Sequence, residues 1–156
     1  MSEVRPYSPQ QERIGNAVIT VMSRLQTGLY RLSGGRIGGR FLRGAPVGLL
    51  THTGRRSGEV RTSPLLVLER GENVIVAASK GGFAGNPAWY YNLLAHPDCE
   101  VQIGRRVRPM RARLAESGER DELWPAMDAM YRDFAEYRAR AAAAGREIAL
   151  FVLEPH

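Results

Sequence analysis

From Pro46 onward the apolar residues fall into short stretches closed by glycine-bearing turns, and only two helical insertions interrupt them. Val47 to Thr53 closes on Gly54. Val60 to Leu68 leads into the turn Arg70-Gly71-Glu72-Asn73, and Val74 to Ala78 follows as a fully apolar strand. Glu100 to Ile103 and Arg106 to Leu114 flank Gly104-Arg105, where glycine at the first turn position suits a type II′ hairpin. Glu147 to Leu153 is the last strand. Strands joined by such short turns are antiparallel neighbours, because a parallel pair needs a crossover of a dozen or more residues. The order therefore predicts a mainly β domain of about six antiparallel strands, arranged as a small barrel, with N-terminal, middle and C-terminal helices.

The helices carry their own start and stop signals. Ser8-Pro9-Gln10-Gln11 combines an N-cap, a proline fit for the first helical position and a Gln that can complete a capping box. Apolar residues then recur every three to four positions at Ile14, Ala17, Val18, Val21, Met22, Leu25, Leu29 and Leu32, up to Gly34-Gly35. Residues 1–33 are read as an amphipathic helical extension and 34–156 as the barrel domain. Asn86-Pro87 opens a helix over Ala88 to His96, which His96-Pro97 ends. Glu119 to Ala144 is helical in composition, kinked at Pro125 and with a break near Tyr131. The uncharged stretch Ile14 to Ser23 is about half the length of a membrane span, so a cytoplasmic or membrane-peripheral protein is expected.

Several chemistries lack the residues they need. Cys99 is the only cysteine, which rules out an internal disulfide or a site built from several thiolates. No metal is expected. His52, His96 and His156 sit on a strand, at a helix end and at the C-terminus, and no Gly-x-Ser-x-Gly elbow or His-Glu-x-x-His pair accompanies them. Hydrolysis has no visible machinery.

Charge is more informative. Between Arg13 and Gly58 there are eight Arg and no carboxylate, in a chain of formal net charge +6. Such a stretch attracts an anion. Within Thr51-His52-Thr53-Gly54-Arg55-Arg56-Ser57-Gly58-Glu59-Val60-Arg61, three guanidinium groups and several hydroxyls surround a tight turn, and guanidinium forks suit phosphate or carboxylate oxygens. A second feature is Ala77-Ala78-Ser79-Lys80-Gly81-Gly82. Small residues there let a flat ring approach the backbone, whose N–H groups can bond its carbonyls. Each motif alone also fits an ordinary basic hairpin or an ordinary strand-ending turn.

Together with Arg61-x-x-Pro64-Leu65, Asn86-Pro87-x-Trp89-Tyr90-x-Asn92-Leu93, Pro97 and Pro155, these motifs resemble the deazaflavin-dependent nitroreductase family from about Arg31 to Pro155. The resemblance implies a split β-barrel related to flavin-nucleotide-binding barrels. It also implies reduced coenzyme F420, an 8-hydroxy-5-deazaflavin with a lactyl phosphate and oligoglutamate tail, as hydride donor to a quinone-like or nitroaromatic acceptor. By the same resemblance the anionic tail lies near Arg55, Arg56, Ser57 and Arg61. The ring lies along Pro64, Leu65, Leu66, Ala77, Ala78, Ser79 and Lys80, with Ala88, Trp89 and Asn92 beside it. Two roles fit Trp89, a ring neighbour and a core aromatic that anchors its helix.

Tyr131, Phe134 and Tyr137, three residues apart, share a helical face loosely. In the resembled family this face encloses the substrate, so Tyr131 and Tyr137 are candidates to orient or protonate the acceptor, with Ser79 bonding the ring. Leu66 and Phe134 stand where the family pattern has room for tyrosines. Both remove hydroxyls, so a more apolar pocket of Leu66, Tyr131, Phe134 and Tyr137 is expected, favouring quinones over nitroimidazoles.

Two rival readings fit the same residues. The same barrel could take FMN, whose shorter anion would leave part of the Arg cluster unused. A non-enzymatic Arg-rich nucleic-acid-binding module is the other, although no Arg–aromatic alternation or helix-turn-helix supports it, and no specific nucleic acid is expected. Residues 9–33 could rest on the inner face of the cell membrane or cover the barrel, and a homodimer is in keeping with flavin-type split barrels.

Overall fold

A computed structural model describes residues 4–40 and 44–156. Helix α1 (Pro9–Ser33) begins with the capping box foreseen, Ser8 accepting from the Gln11 N–H and Gln11 from the Ser8 N–H, and ends on Gly34 in the left-handed region. Among the described residues seven strands follow, one more than expected: β1 (Val47–Thr53), β2 (Val60–Leu66), β3 (Leu68–Arg70), β4 (Asn73–Ala77), β5 (Asp98–Ile103), β6 (Arg106–Leu114) and β7 (Leu150–Pro155). Helix α2 (Ala88–Ala95) lies between β4 and β5, and α3 (Ser117–Met130) and α4 (Phe134–Ala143) lie between β6 and β7.

All pairings are antiparallel, in the order β2-β1-β5-β6-β7-β4-β3. The extra strand arises because Val60 to Leu68 is not one run: the chain leaves β2 at Leu66 and enters β3 at Leu68, on the opposite edge of the sheet. Only Val67 separates them, and one residue spans at most about 3.5 Å, so the two edges meet in space although no ladder joins them. The result is a split barrel. Val67 is buried at the seam, and its N–H donates to the Pro46 carbonyl at 3.1 Å. Pro64 sits in β2, an edge strand, where a residue without an N–H costs the ladder least.

The rolled sheet has apolar packing on both faces. Val74, Val76 and Ala78 join Leu50, Val101, Met110, Phe151 and Leu153 on the inner side, sealed by Trp89 and Leu93 of α2. Ile75 and Ala77 turn outward to meet Leu150, Val152 and the α3–α4 residues Leu123, Met127, Tyr131 and Phe134. Burial on both faces explains why β4 shows no alternation. At the α3–α4 corner Arg138 forks onto Asp128 with two bonds of 2.7 Å and lies 4.0 Å above the Trp124 ring.

Two expectations change. Tyr131 caps α3 in extended conformation (φ −148°, ψ 100°) and α4 begins only at Phe134, so the three aromatics do not share one helical face. They converge instead because the chain turns between the helices. The second change concerns α1, whose apolar stripe does not cover the barrel: Ile14, Val18, Val21, Leu25 and Leu32 are 55–89% exposed. Its barrel side is held by Gly15 against the Phe83 ring, by Arg31 donating to Thr62, and by buried Tyr30, whose hydroxyl accepts the Gly104 N–H at 2.8 Å. No described helix is long and apolar enough to cross a membrane.

Candidate functional site

The β1–β2 turn lines a cationic cleft. Gly54, Arg55, Arg56, Ser57 and Arg61 line a depression of about 250 Å³ with Ala88 and Asn92 of α2 as its wall. Arg55 lies 4.5 Å over the Tyr91 ring, and among the described residues no carboxylate pairs with Arg55 or Arg56. Arg61 meets Glu59 at 3.4 Å, an exposed pair that solvent weakens. Guanidinium groups left without counter-charges fit a multiply charged anion.

Behind the cleft a buried network fixes the turn. The Arg55 N–H donates to Asn92 Oδ1 at 2.9 Å, which leaves Asn92 Nδ2 to donate to His52 Nδ1 at 3.0 Å. Nδ1 must therefore accept, so the proton sits on Nε2 and is donated to Ser63 Oγ at 3.0 Å. The neutral ring follows from its surroundings: His52 is 3% exposed, and burial, with Arg61 adding to it, pulls its pKa down to about 4. Nothing about His52 between two threonines suggested this, since its partners lie 11 and 40 residues away.

That network predicts an acid sensitivity. The unfolded chain takes up this proton near pH 6.5 and the folded chain near 4. The stability contributed by the neutral ring is complete above the first value and is lost as pH falls toward the second, about 3 kcal/mol in all. Urea unfolding across this window should show the loss in the wild type and not in His52→Gln.

The second part of the site is the loop after β4. Ser79 leads into a 3-10 turn, Lys80–Gly82, in which Lys80, Gly81 and Gly82 all have positive φ (44°, 60° and 78°). Lys80 is the only described non-glycine residue in that region, and such backbone persists only where its surroundings over-determine it. Arg146, between α4 and β7, supplies much of that constraint: its guanidinium donates to the carbonyls of Ala78 (2.7 Å), Ser79 (2.8 Å) and Phe83 (2.7 and 2.9 Å) and to Asn86 Oδ1 (3.1 Å). Burial lowers its pKa from the ordinary arginine value. From the other side the Tyr7 ring meets Phe83 edge-on at 5.1 Å, Arg140 bonds the Tyr7 hydroxyl, and Glu12 accepts the Ala84 N–H at 2.7 Å. Arg146 carried no local sequence signal.

The remaining candidates separate by face. Leu66, Ala77, Tyr131, Phe134 and Tyr137 share the outer cluster, and the Tyr131 and Tyr137 hydroxyls are 3.0 Å apart. Burial and this bond raise the Tyr131 pKa, so its phenol stays protonated. Main-chain atoms of Tyr137 pack against Gly82, bringing α4 to the Ser79–Lys80 loop. Leu65, Ala78 and Trp89 belong to the inner cluster, where Trp89 packs on Phe151 with ring centroids 5.7 Å apart, so its indole is not among the tyrosines. Cys99 is buried there too, its thiol pushed up to about 12 by burial and by Asp98 and Glu100. A separate depression of about 240 Å³ beside Arg120 and Glu147 contains none of the candidates.

The fold is a split barrel with an arginine-lined cleft and, after β4, a glycine-rich loop. Comparison with known proteins makes this specific. The F420H(2)-dependent quinone reductase family model matches residues 22–155, and the chain belongs to that family. Rv3178 of Mycobacterium tuberculosis is 46% identical over 99 residues, which are 64% of this chain and 83% of that protein. The solved structure of the F420-H2 dependent reductase FDR-A superposes with a TM-score of 0.64 at 37% identity, covering 70% of this chain and 94% of that one. A solved chain described as a domain-swapped dimer is 36% identical, with a TM-score of 0.66, over 84% of this chain and 96% of its own.

Proposed function

We propose that the chain is an oxidoreductase that moves a hydride from reduced coenzyme F420 to a quinone-like acceptor, with nitroaromatic compounds as secondary acceptors. The observation that carries this reading is a cleft in which, among the described residues, Arg55 and Arg56 have no counter-charge, together with a loop whose carbonyls are held by Arg146 and whose N–H groups are free. When bound, reduced F420 supplies a hydride and avoids one-electron chemistry. Arg55, Arg56, Ser57 and Arg61 hold the anionic tail, and Asn92 keeps the turn in place through the Arg55 N–H. Ser79 and Lys80 bond the ring, flanked by Pro64, Leu66, Ala77 and Ala88, while Leu65, Ala78 and Trp89 pack in the inner cluster. Tyr137, half-buried above the loop, orients the acceptor, and its partner Tyr131, kept neutral, serves as a proton donor through it. Leu66 and Phe134 make the acceptor space apolar, which suits quinone rings.

An anaerobic assay of reduced F420 oxidation against quinones and nitroimidazoles tests this, with faster turnover expected for the quinones. Titration with F420 and with FMN separates the cofactors. The longer anion uses all three arginines and is expected to bind more tightly, and failure to bind F420 ends the proposal.

The finer location we propose is the inner face of the cell membrane, reached through residues 9–33. The outward stripe of α1 is flanked by Arg13 and Arg24, and Glu12, its only carboxylate, is turned to Ala84. Apolar area beside cationic charge is the pattern that binds anionic bilayers. Co-sedimentation with anionic vesicles, weaker with zwitterionic ones and lost on Val21→Glu plus Leu25→Glu, is the expected result. The relative solved as a domain-swapped dimer supports a homodimer as one assembly of this chain. Light scattering of the same variant shows whether the stripe serves that contact instead.

A further inference from the structure

We propose that Arg146 is a positioning residue: by holding the carbonyls of Ala78 and Ser79, its guanidinium turns the Ser79 and Lys80 N–H groups toward the deazaflavin ring. This rests on the reading that the loop receives the ring.

The argument is one of peptide geometry. In a trans peptide the carbonyl and the following N–H point in opposite directions. The Ala78 carbonyl accepts from Arg146 Nη1, so the Ser79 N–H points away from the guanidinium. The Ser79 carbonyl accepts from Nη2, so the Lys80 N–H does the same. Among the described residues neither N–H has an acceptor, nor has that of Gly81, whereas Gly82 and Phe83 donate to Ser79 and Lys80 at 2.9 and 3.1 Å. One side of the loop is thus all acceptors, consumed by Arg146, and the other is donors. The αR conformation of Ser79 followed by positive φ at Lys80 is the alternation that makes a concave nest of N–H groups. Arginine is required because its planar fork of five N–H donors serves four oxygens here, three of them carbonyls, and an ammonium carries only three donors.

A staple that only stabilised the loop would change melting and leave ring binding alone. Fluorescence titration distinguishes the two with two ligands, the full coenzyme and the 8-hydroxy-5-deazaflavin that keeps its ribityl chain and lacks the phosphate and glutamate tail. Arg146→Met is expected to weaken both by the same factor, about tenfold or more for two misdirected N–H donors. Arg55→Ala with Arg56→Ala should weaken the coenzyme and spare the truncated deazaflavin. Should Arg146→Met fail to fold, Arg146→Lys decides: several-fold weaker binding of both ligands is expected, with folding checked by circular dichroism. Wild-type affinity in the folded Met or Lys variant overturns the positioning role while leaving the proposed function intact. Wild-type protein that binds neither ligand overturns the proposed function, and this inference with it.

Discussion

Changing Arg55 and Arg56 together to Ala is expected to raise the Kd for coenzyme F420 about 100-fold at low ionic strength with almost no change in melting temperature. Each charge-assisted hydrogen bond contributes about 1.5 to 3 kcal/mol. Both side chains are exposed, so the lower end applies, and two such losses correspond to about two decades in affinity. Salt should shrink the difference because the lost contacts are ionic. Stability should hold, since neither guanidinium pairs with a described carboxylate and the turn is fixed by the Arg55 main chain through Asn92. A fluorescence titration at two salt concentrations, with a thermal melt of each protein, checks both halves. Equal affinity in wild type and variant would remove the anion cleft from the binding site.

The second large effect falls on stability. Trp89→Ala should cost about 3 to 5 kcal/mol and lower the melting temperature by roughly 10 °C, because it empties the centre of the inner cluster. Trp89 is buried there against Phe151, and Tyr90 meets the same ring at 5.6 Å. Trp89→Phe keeps most of the packing and should fold. In that variant coenzyme affinity is expected to stay close to wild type, because the indole faces the core. A large loss of affinity in a stable Trp89→Phe protein would show that the ring leans on the indole after all.

Both predictions start from residues that stood out in the sequence, and the structure changes what they mean. Arg55 and Arg56 were legible because charge and turn chemistry are local: a glycine turn between two strands presents neighbouring side chains on one side wherever it occurs. Trp89 was legible only as a pair of alternatives, since a helix of eight residues has room for both and its partner Phe151 lies 62 positions further along. The three aromatics from Tyr131 to Tyr137 were found by spacing. Their convergence instead depends on a chain turn after Met130 that the spacing does not encode.

What the sequence determined by itself were the strand and helix runs, the antiparallel hairpins, the α1 caps and the cationic segment, together with a family resemblance carried by several spaced motifs. These depend on interactions within a few residues, which the order of side chains records directly. Only the tertiary structure decided that Val67 splits one apparent strand across the two edges of the barrel and that the α1 stripe faces outward. It also assembled His52 with Asn92, and Arg146 with the carbonyls of a loop more than 60 residues before it. Those contacts form when the sheet rolls up and distant segments meet, and local periodicity carries no record of which partners that closure will bring together.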